Sequence, residues 1–277
     1  MSPVSAALRV VLDTAAYRLK QREAGNLVTS LTLALALSLP VRDLAVRFTF
    51  GVVLNLFVYL VNDLLDVHVD LRAPGREQAR VQFLAEHLRE GWAAVAVLTL
   101  AAAALAAWHS AGLVASLAAT AVIIPVYTRF LKRVPLADLG AMTAWGFSMA
   151  LVGAPLDSPA GLRFAGLLAI LCTITEAVQV LRDHDSDHAA GVRTTAVALG
   201  PRATAWVARA LVVGAAAYAS LCLSRHLGAL FLLGLLVPLS AARAAKSWDA
   251  FRLVFGVSWL ALLAHYHRLG RLDGWLG

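Results

Sequence analysis

Between residues 24 and 266, apolar stretches long enough to cross a lipid bilayer follow one another with few interruptions. A helix needs about 20 apolar residues to span the hydrocarbon core. About nine such stretches are present, at roughly 24–40, 44–61, 92–108, 111–127, 136–154, 163–182, 203–222, 227–242 and 250–266. They are continuous runs, not ten-residue segments of alternating polarity, so they predict helices rather than a barrel. Composition agrees: 60% of the 277 residues are hydrophobic and 15% charged, where a soluble domain carries about 25% charged residues. The expected fold is all-α and polytopic, a single domain over residues 1–277 with about nine transmembrane helices bundled around a central cavity.

The ends and loops complete the topology. Residues 1–23 combine Arg9, Arg18, Lys20 and Arg22 with scattered apolar positions and no charged tip leading into an apolar core. They predict a membrane-surface segment, not a cleavable signal peptide. The net charge of +7 arises from Lys and Arg gathered before the first span and in 71–91, 129–133, 182–202 and 243–246. That pattern obeys the positive-inside rule and points to a lipid bilayer as partner, not nucleic acid. It places the N-terminus and the loops 62–91 and 183–202 in the cytoplasm, for a multi-pass protein of a bacterial cytoplasmic membrane. Cys172 and Cys222 lie inside apolar runs and are expected to pack, with no disulfide or metal. Trp92, Trp108, Trp259 and Trp275 fall near helix ends and are expected as interfacial anchors.

Two acidic clusters interrupt this apolar pattern on the same side of the membrane. In NDLLDVHVD, Asn62, Asp66 and Asp70 recur every fourth residue, with Asp63 close to the same helical stripe. The stripe starts within an apolar span, where ionisable residues are functional candidates. The second cluster pairs Asp183 with Asp187 at the same spacing, and Glu176 and Gln179 carry its stripe back into the membrane. Facing carboxylates repel unless cations lie between them. Mg²⁺ takes hard oxygen ligands, a few carboxylates together with water and phosphate oxygens, so the clusters predict a Mg²⁺-dependent diphosphate site. Its candidate metal ligands are Asn62, Asp63, Asp66, Asp70, Asp183 and Asp187. Lys132 and Arg72 are candidates for the outer phosphate oxygens. Zinc is disfavoured by the carboxylate-rich set; His184 and His188 read as a solvated face. Glu176 is expected either to steady an acceptor hydroxyl or to pair with Arg182.

These residues also match a known family. NDLLDVHVD has the form NDxxDxxxD of the UbiA superfamily of intramembrane prenyltransferases, and DHDSDHAAGVRTTAVALG resembles its second motif, DxxxD followed by Gly and Thr. YTRFLKRVPLADLGAMTAWGF is similar to the family's loop carrying a Tyr and a Lys/Arg pair. The resemblance implies a polyprenyl diphosphate donor held through Mg²⁺, its tail within the bundle, and transfer through an allylic cation to an aromatic or other small acceptor. It implies catalytic roles for Asp66, Asp183 and Asp187, and diphosphate contacts from Asn62, Tyr127 and Lys132. Asn26 would lie in the acceptor region with Glu176. Two departures stand out: Gly25 replaces a Lys common before that Asn, and LRAPGREQARVQFLAEHLREGW replaces the usual stretch after the first motif. On the same fold, phosphoribosyl transfer to a polyprenyl phosphate and prenyl-chain cyclisation are alternatives. A secondary transporter is a further reading, disfavoured because its acids would sit near the bilayer midplane.

Overall fold

The computed structural model describes residues 2–21, 23–71 and 77–269. Among them the structure is helical: α1 Pro3–Lys20, α2 Gly25–Ala36, α3 Val41–Asp70, α4 Gln78–Glu86, α5 Leu88–His109, α6 Ala111–Arg129, α7 Ala137–Ala150, α8 Pro159–Arg182, α9 His184–Ala189, α10 Thr195–Leu199, α11 Pro201–Cys222 and α12 Ala244–Leu269, with 3-10 turns between some of them. Helix starts follow the local chemistry. Ser110 and Ser158 cap α6 and α8 by accepting from Leu113 N (3.4 Å) and Gly161 N (3.1 Å), and Pro159 occupies a first-turn position where a missing N–H costs nothing.

Among the described residues, six helices are long and apolar enough to cross a membrane: α3, α5, α6 with the 3-10 turn that follows it, α8, α11 and α12 with the turn that precedes it. The runs expected at 24–40, 136–154 and 227–242 fold into shorter elements: α2 of 12 residues, α7 of 14, and a 10-residue 3-10 helix, Leu227–Leu236. At 1.5–2.0 Å per residue each extends only about 20 Å, below the roughly 30 Å of a full crossing. Gly, Pro and Ser at positions 38–40, 153–158 and 224–240 end these helices early.

The predicted loops are also more ordered than a loop. α3 continues through the whole first motif, because Leu60, Val61, Leu64 and Val67 keep a three-to-four-residue apolar spacing and are buried. α4 and the start of α5 occupy residues 78–91. α9 and α10 occupy much of 183–202.

α8 is the shaft of the bundle. Seventy-eight per cent of its apolar window is buried, against 28% for α5 at the periphery. On one side α8 joins α11, α12 and the Leu227–Leu236 helix in a core containing Phe164, Phe231, Phe251 and Trp259. A second core gathers α3, α5, α6 and α7 around Phe50, Leu54, Met142 and Met149. Trp259 is therefore not an interfacial anchor: it is 1% exposed, packs edge-on to Phe164, and its Nε1 donates to Thr32 Oγ1 at 3.1 Å. Trp92 and Trp108 are exposed, as expected for anchors; Trp275 lies outside the described residues. Both cysteines are free, Cys172 buried and Cys222 partly so.

Candidate active site

The carboxylates sit where helices end. Asp66 and Asp70 occupy the last turns of α3, Asp183 caps the C-terminus of α8, and Asp187 lies on the short α9 that continues from it. The Asp187 N–H donates to the Asp183 carbonyl at 2.8 Å, so the chain keeps a helical turn past the break and preserves the four-residue spacing. Lys132, on the turn after α6, joins the two motifs. Its Nζ lies 3.3 Å from Asp66 Oδ2, and the ammonium sits in the field of Asp66, Asp187 and Glu176. Burial pushes the Asp187 carboxyl up to about 6 against the opposing pull of Lys132, while Asp183 adds to the rise.

The other expected diphosphate contacts are close by. Asn62 Oδ1 accepts from Thr128 Oγ1 at 3.0 Å, which fixes the amide against α6. Tyr127, one residue earlier on α6, donates its hydroxyl to Glu176 Oε1 at 2.7 Å. Glu176 is thus held by Tyr127 rather than by Arg182, whose guanidinium binds Asp183 at 2.8 and 2.9 Å. Asp70 is buried. His184 pairs with exposed Asp185 at 2.7 Å, away from the carboxylate stripe. Arg72 lies outside the described residues.

Asp63 has different company from the rest of its motif. It is 2% exposed, one oxygen held by Arg18 and the other by Arg80 at 2.8 Å. Each Asp63 oxygen is thus engaged by a guanidinium group, each from a different arginine.

A cavity of about 220 Å³ takes Asn62 from the first motif and Glu176 and Gln179 from α8 into its wall; none of the motif aspartates lines it. Asn26, Asn62, Tyr127, Glu176 and Gln179 give it a polar wall, while Val58, Ile124, Met142 and Trp145 give it an apolar one. Asn26 Oδ1 accepts from Cys172 Sγ at 3.4 Å, which explains a thiol deep in the bundle. Trp145 Nε1 is buried in this wall without a partner. A polar half and an apolar half in one chamber suit a ligand with a charged head outside, a greasy tail and a polar reaction partner.

Asp138 is a residue the sequence reading missed. It is 0% exposed. Its Oδ1 accepts from Leu139 N at 2.8 Å and from the Thr195 hydroxyl, and its Oδ2 accepts from Thr195 N at 2.8 Å. Thr195 Oγ1 in turn accepts from Leu136 N at 2.7 Å. One buried carboxylate thus ties the segment carrying Lys132 to the segment that follows Asp187. Nothing in its local pattern separates it from an ordinary first-turn helix acid.

The oxygen donors of the two motifs, carboxylates and an amide, are of the kind a hard divalent cation takes. Among the described residues, no three His, Cys, Asp or Glu side chains form a ready-made cage. Mg²⁺ often uses one or two carboxylates and completes its octahedron with water and phosphate oxygens, so such a cage is not required.

The model of the UbiA prenyltransferase family matches residues 26–267. Two solved structures share the fold. One, from work on digeranylgeranylglyceryl phosphate synthase in membranes, has a TM-score of 0.70 and 16% identity, covering 97% of this chain and 100% of that one. The other, a UbiA homologue from Archaeoglobus fulgidus bound to GPP and Mg²⁺, has a TM-score of 0.67 and 14% identity, covering 94% and 99%. No curated protein matches the chain.

Proposed function

The chain belongs to the UbiA prenyltransferase family, an integral membrane transferase by that membership and its six apolar helices, and on that premise we propose that it moves a prenyl group from a polyprenyl diphosphate to an aromatic or other small acceptor. The carrying observation is Lys132: a half-buried cation 3.3 Å from Asp66 of the first motif and standing in the field of Asp187 of the second. Such a group neutralises diphosphate oxygens and orients the leaving group.

Asn62, Asp66, Asp70, Asp183 and Asp187 would hold Mg²⁺, which supplies charge neutralisation to the departing diphosphate; the homologue bound to GPP and Mg²⁺ supports this donor and ion. Lys132 binds the diphosphate at the polar rim. When the carbon–oxygen bond breaks, the allylic cation is left beside Tyr127 and Trp145, whose ring faces stabilise positive charge. The apolar wall excludes water, which would otherwise capture the cation. Glu176, steadied by Tyr127, receives the acceptor's proton or orients its hydroxyl. Asn26 and Gln179 complete the acceptor's polar surroundings. The acidic helix ends and the N-terminus face the cytoplasm, α1 lies on the membrane surface, and the three short elements complete a nine-helix bundle.

The arrangement disfavours transport. The acids occupy the final turns of α3 and α8 rather than the middle of either helix, whereas coupling-ion sites lie near the bilayer midplane. The decisive experiment measures diphosphate release from a panel of prenyl diphosphates with Mg²⁺ and with EDTA, and analyses the lipid products by mass spectrometry. A prenylated acceptor released only with Mg²⁺ supports the reading. A phosphoribosylated lipid or an acceptor-free cyclic product replaces it with one of the alternatives on this fold.

A further inference from the structure

We infer that Asp63, although it stands inside the acidic motif, is a positioning residue that bolts α1 and α4 onto α3 and so closes the wall of the cavity. The inference rests on the transferase reading for its kinetic consequence but on geometry for its substance. Arg18 comes from α1 and Arg80 from α4, and they grip opposite oxygens of one carboxylate that is 2% exposed. Arg18 also binds Glu23 at 2.6 Å. Two guanidinium groups and two carboxylates therefore form a charge-balanced knot, the condition under which buried ions are tolerated.

Aromatic rings complete the knot. The Arg80 guanidinium lies 4.2 Å over Tyr17, and that of Arg18 lies 4.4 Å over Tyr59. The Tyr59 hydroxyl donates to the Glu23 carbonyl, which fixes the link between α1 and α2. The consequence for the cavity is direct: Arg18, Glu23 and Tyr59 line it alongside Asn62. α1 presents Val4, Leu8, Leu12 and Leu19 outward, so little except its inner face holds it to the bundle. Removing the Asp63 charge leaves two buried cations without their shared partner, and both helices lose their anchor.

The test compares Asp63→Asn and Arg80→Gln in the full chain. Hydrogen exchange in α1 and α4 is expected to quicken roughly tenfold or more in both variants, with α12 unchanged. With geranyl diphosphate as donor, KM should rise about fivefold or more, while the half-saturating Mg²⁺ concentration stays within about twofold. The double variant should be no worse than the worse single, because both changes open one knot. Arg80→Lys, which keeps the charge, should recover most of the loss. If Asp63→Asn raises the Mg²⁺ requirement about tenfold and leaves exchange in α1 and α4 unchanged, Asp63 is a metal ligand and the inference fails. Should the wild type release no diphosphate from any donor, the transferase reading fails, and the exchange arm alone decides whether the bolt exists.

Discussion

The Tyr127 hydroxyl donates to Glu176 Oε1 at 2.7 Å, joining α6 to α8 across the wall of the cavity. An acid only 5% exposed needs such a donor, and the bond leaves the rest of the carboxyl group facing the chamber. Glu176→Gln preserves shape and can still accept from Tyr127 but cannot take a proton. Turnover with acceptor is expected to fall about 100-fold, the lower end of general-base effects, with little change in KM for the prenyl donor. Steady-state kinetics with donor and acceptor varied separately would check this. An equal loss in donor binding would remove Glu176 from the acceptor's side.

Asp66 and Asp183 make the opposing prediction. Asp66 meets Lys132, and Asp183 caps α8 beneath Arg182. Alanine at either position removes a ligand oxygen and leaves a cation without its partner, while changing little of the apolar packing. Diphosphate release should fall at least about 1,000-fold, and far-UV circular dichroism should match the wild type. EDTA should reproduce the loss in the wild type, and added Mg²⁺ should reverse it. Either variant retaining wild-type release would dismantle the diphosphate site as drawn.

Much of this arrangement was legible in the chain, and the failures have physical causes. Each of the nine apolar runs falls on a helical element, yet run length could not show that three of them stop at 10 to 14 residues. Asn62, Asp66 and Asp70 share a stripe because α3 stays helical to its last residue. Periodicity alone placed Asp63 near that stripe; the arginines that claim it come from residues 45 positions before and 17 after. The helical stripe carries Glu176 back into the membrane, but its bonded partner lies 49 residues away on α6 and not at nearby Arg182. Pattern reports which face a residue occupies; it does not report which distant helix meets that face.

Asp138 and Thr195 test the same lesson from the other side. Thr195→Val removes the hydroxyl that donates to Asp138 and accepts from Leu136 N, so a fully buried carboxylate and a backbone N–H each lose a partner. The expected cost is about 1–3 kcal/mol of stability for an unsatisfied buried group. Activity should fall further than stability accounts for, because Lys132 and Asp187 sit on the segments so joined, and the KM for prenyl diphosphate should carry the loss. Thr195→Ser keeps the hydroxyl and should behave almost as the wild type. Val as harmless as Ser would show that the hydroxyl's hydrogen bonds are not what the position requires.

Gly153 lets α2 and the turn after α7 meet backbone to backbone. A Cβ built there would lie 1.9 Å from the Ser30 carbonyl oxygen, so α2 and the turn after α7 can meet only because the side chain is absent. Ser30 is itself fully buried and donates its hydroxyl to the Met149 carbonyl at 2.8 Å, which locks the same contact. Backbone cannot retreat as a flexible side chain can, so Gly153→Ala should destabilise by about 1–3 kcal/mol or more through overpacking. Gly214, within α11, has nothing within 4 Å of its would-be Cβ. There alanine should stabilise by about 0.5–1 kcal/mol, because glycine gives up more backbone freedom in a helix. Thermal unfolding of the two variants in one detergent should therefore move in opposite directions; an unchanged or raised midpoint for Gly153→Ala would show that the α2 contact tolerates a side chain.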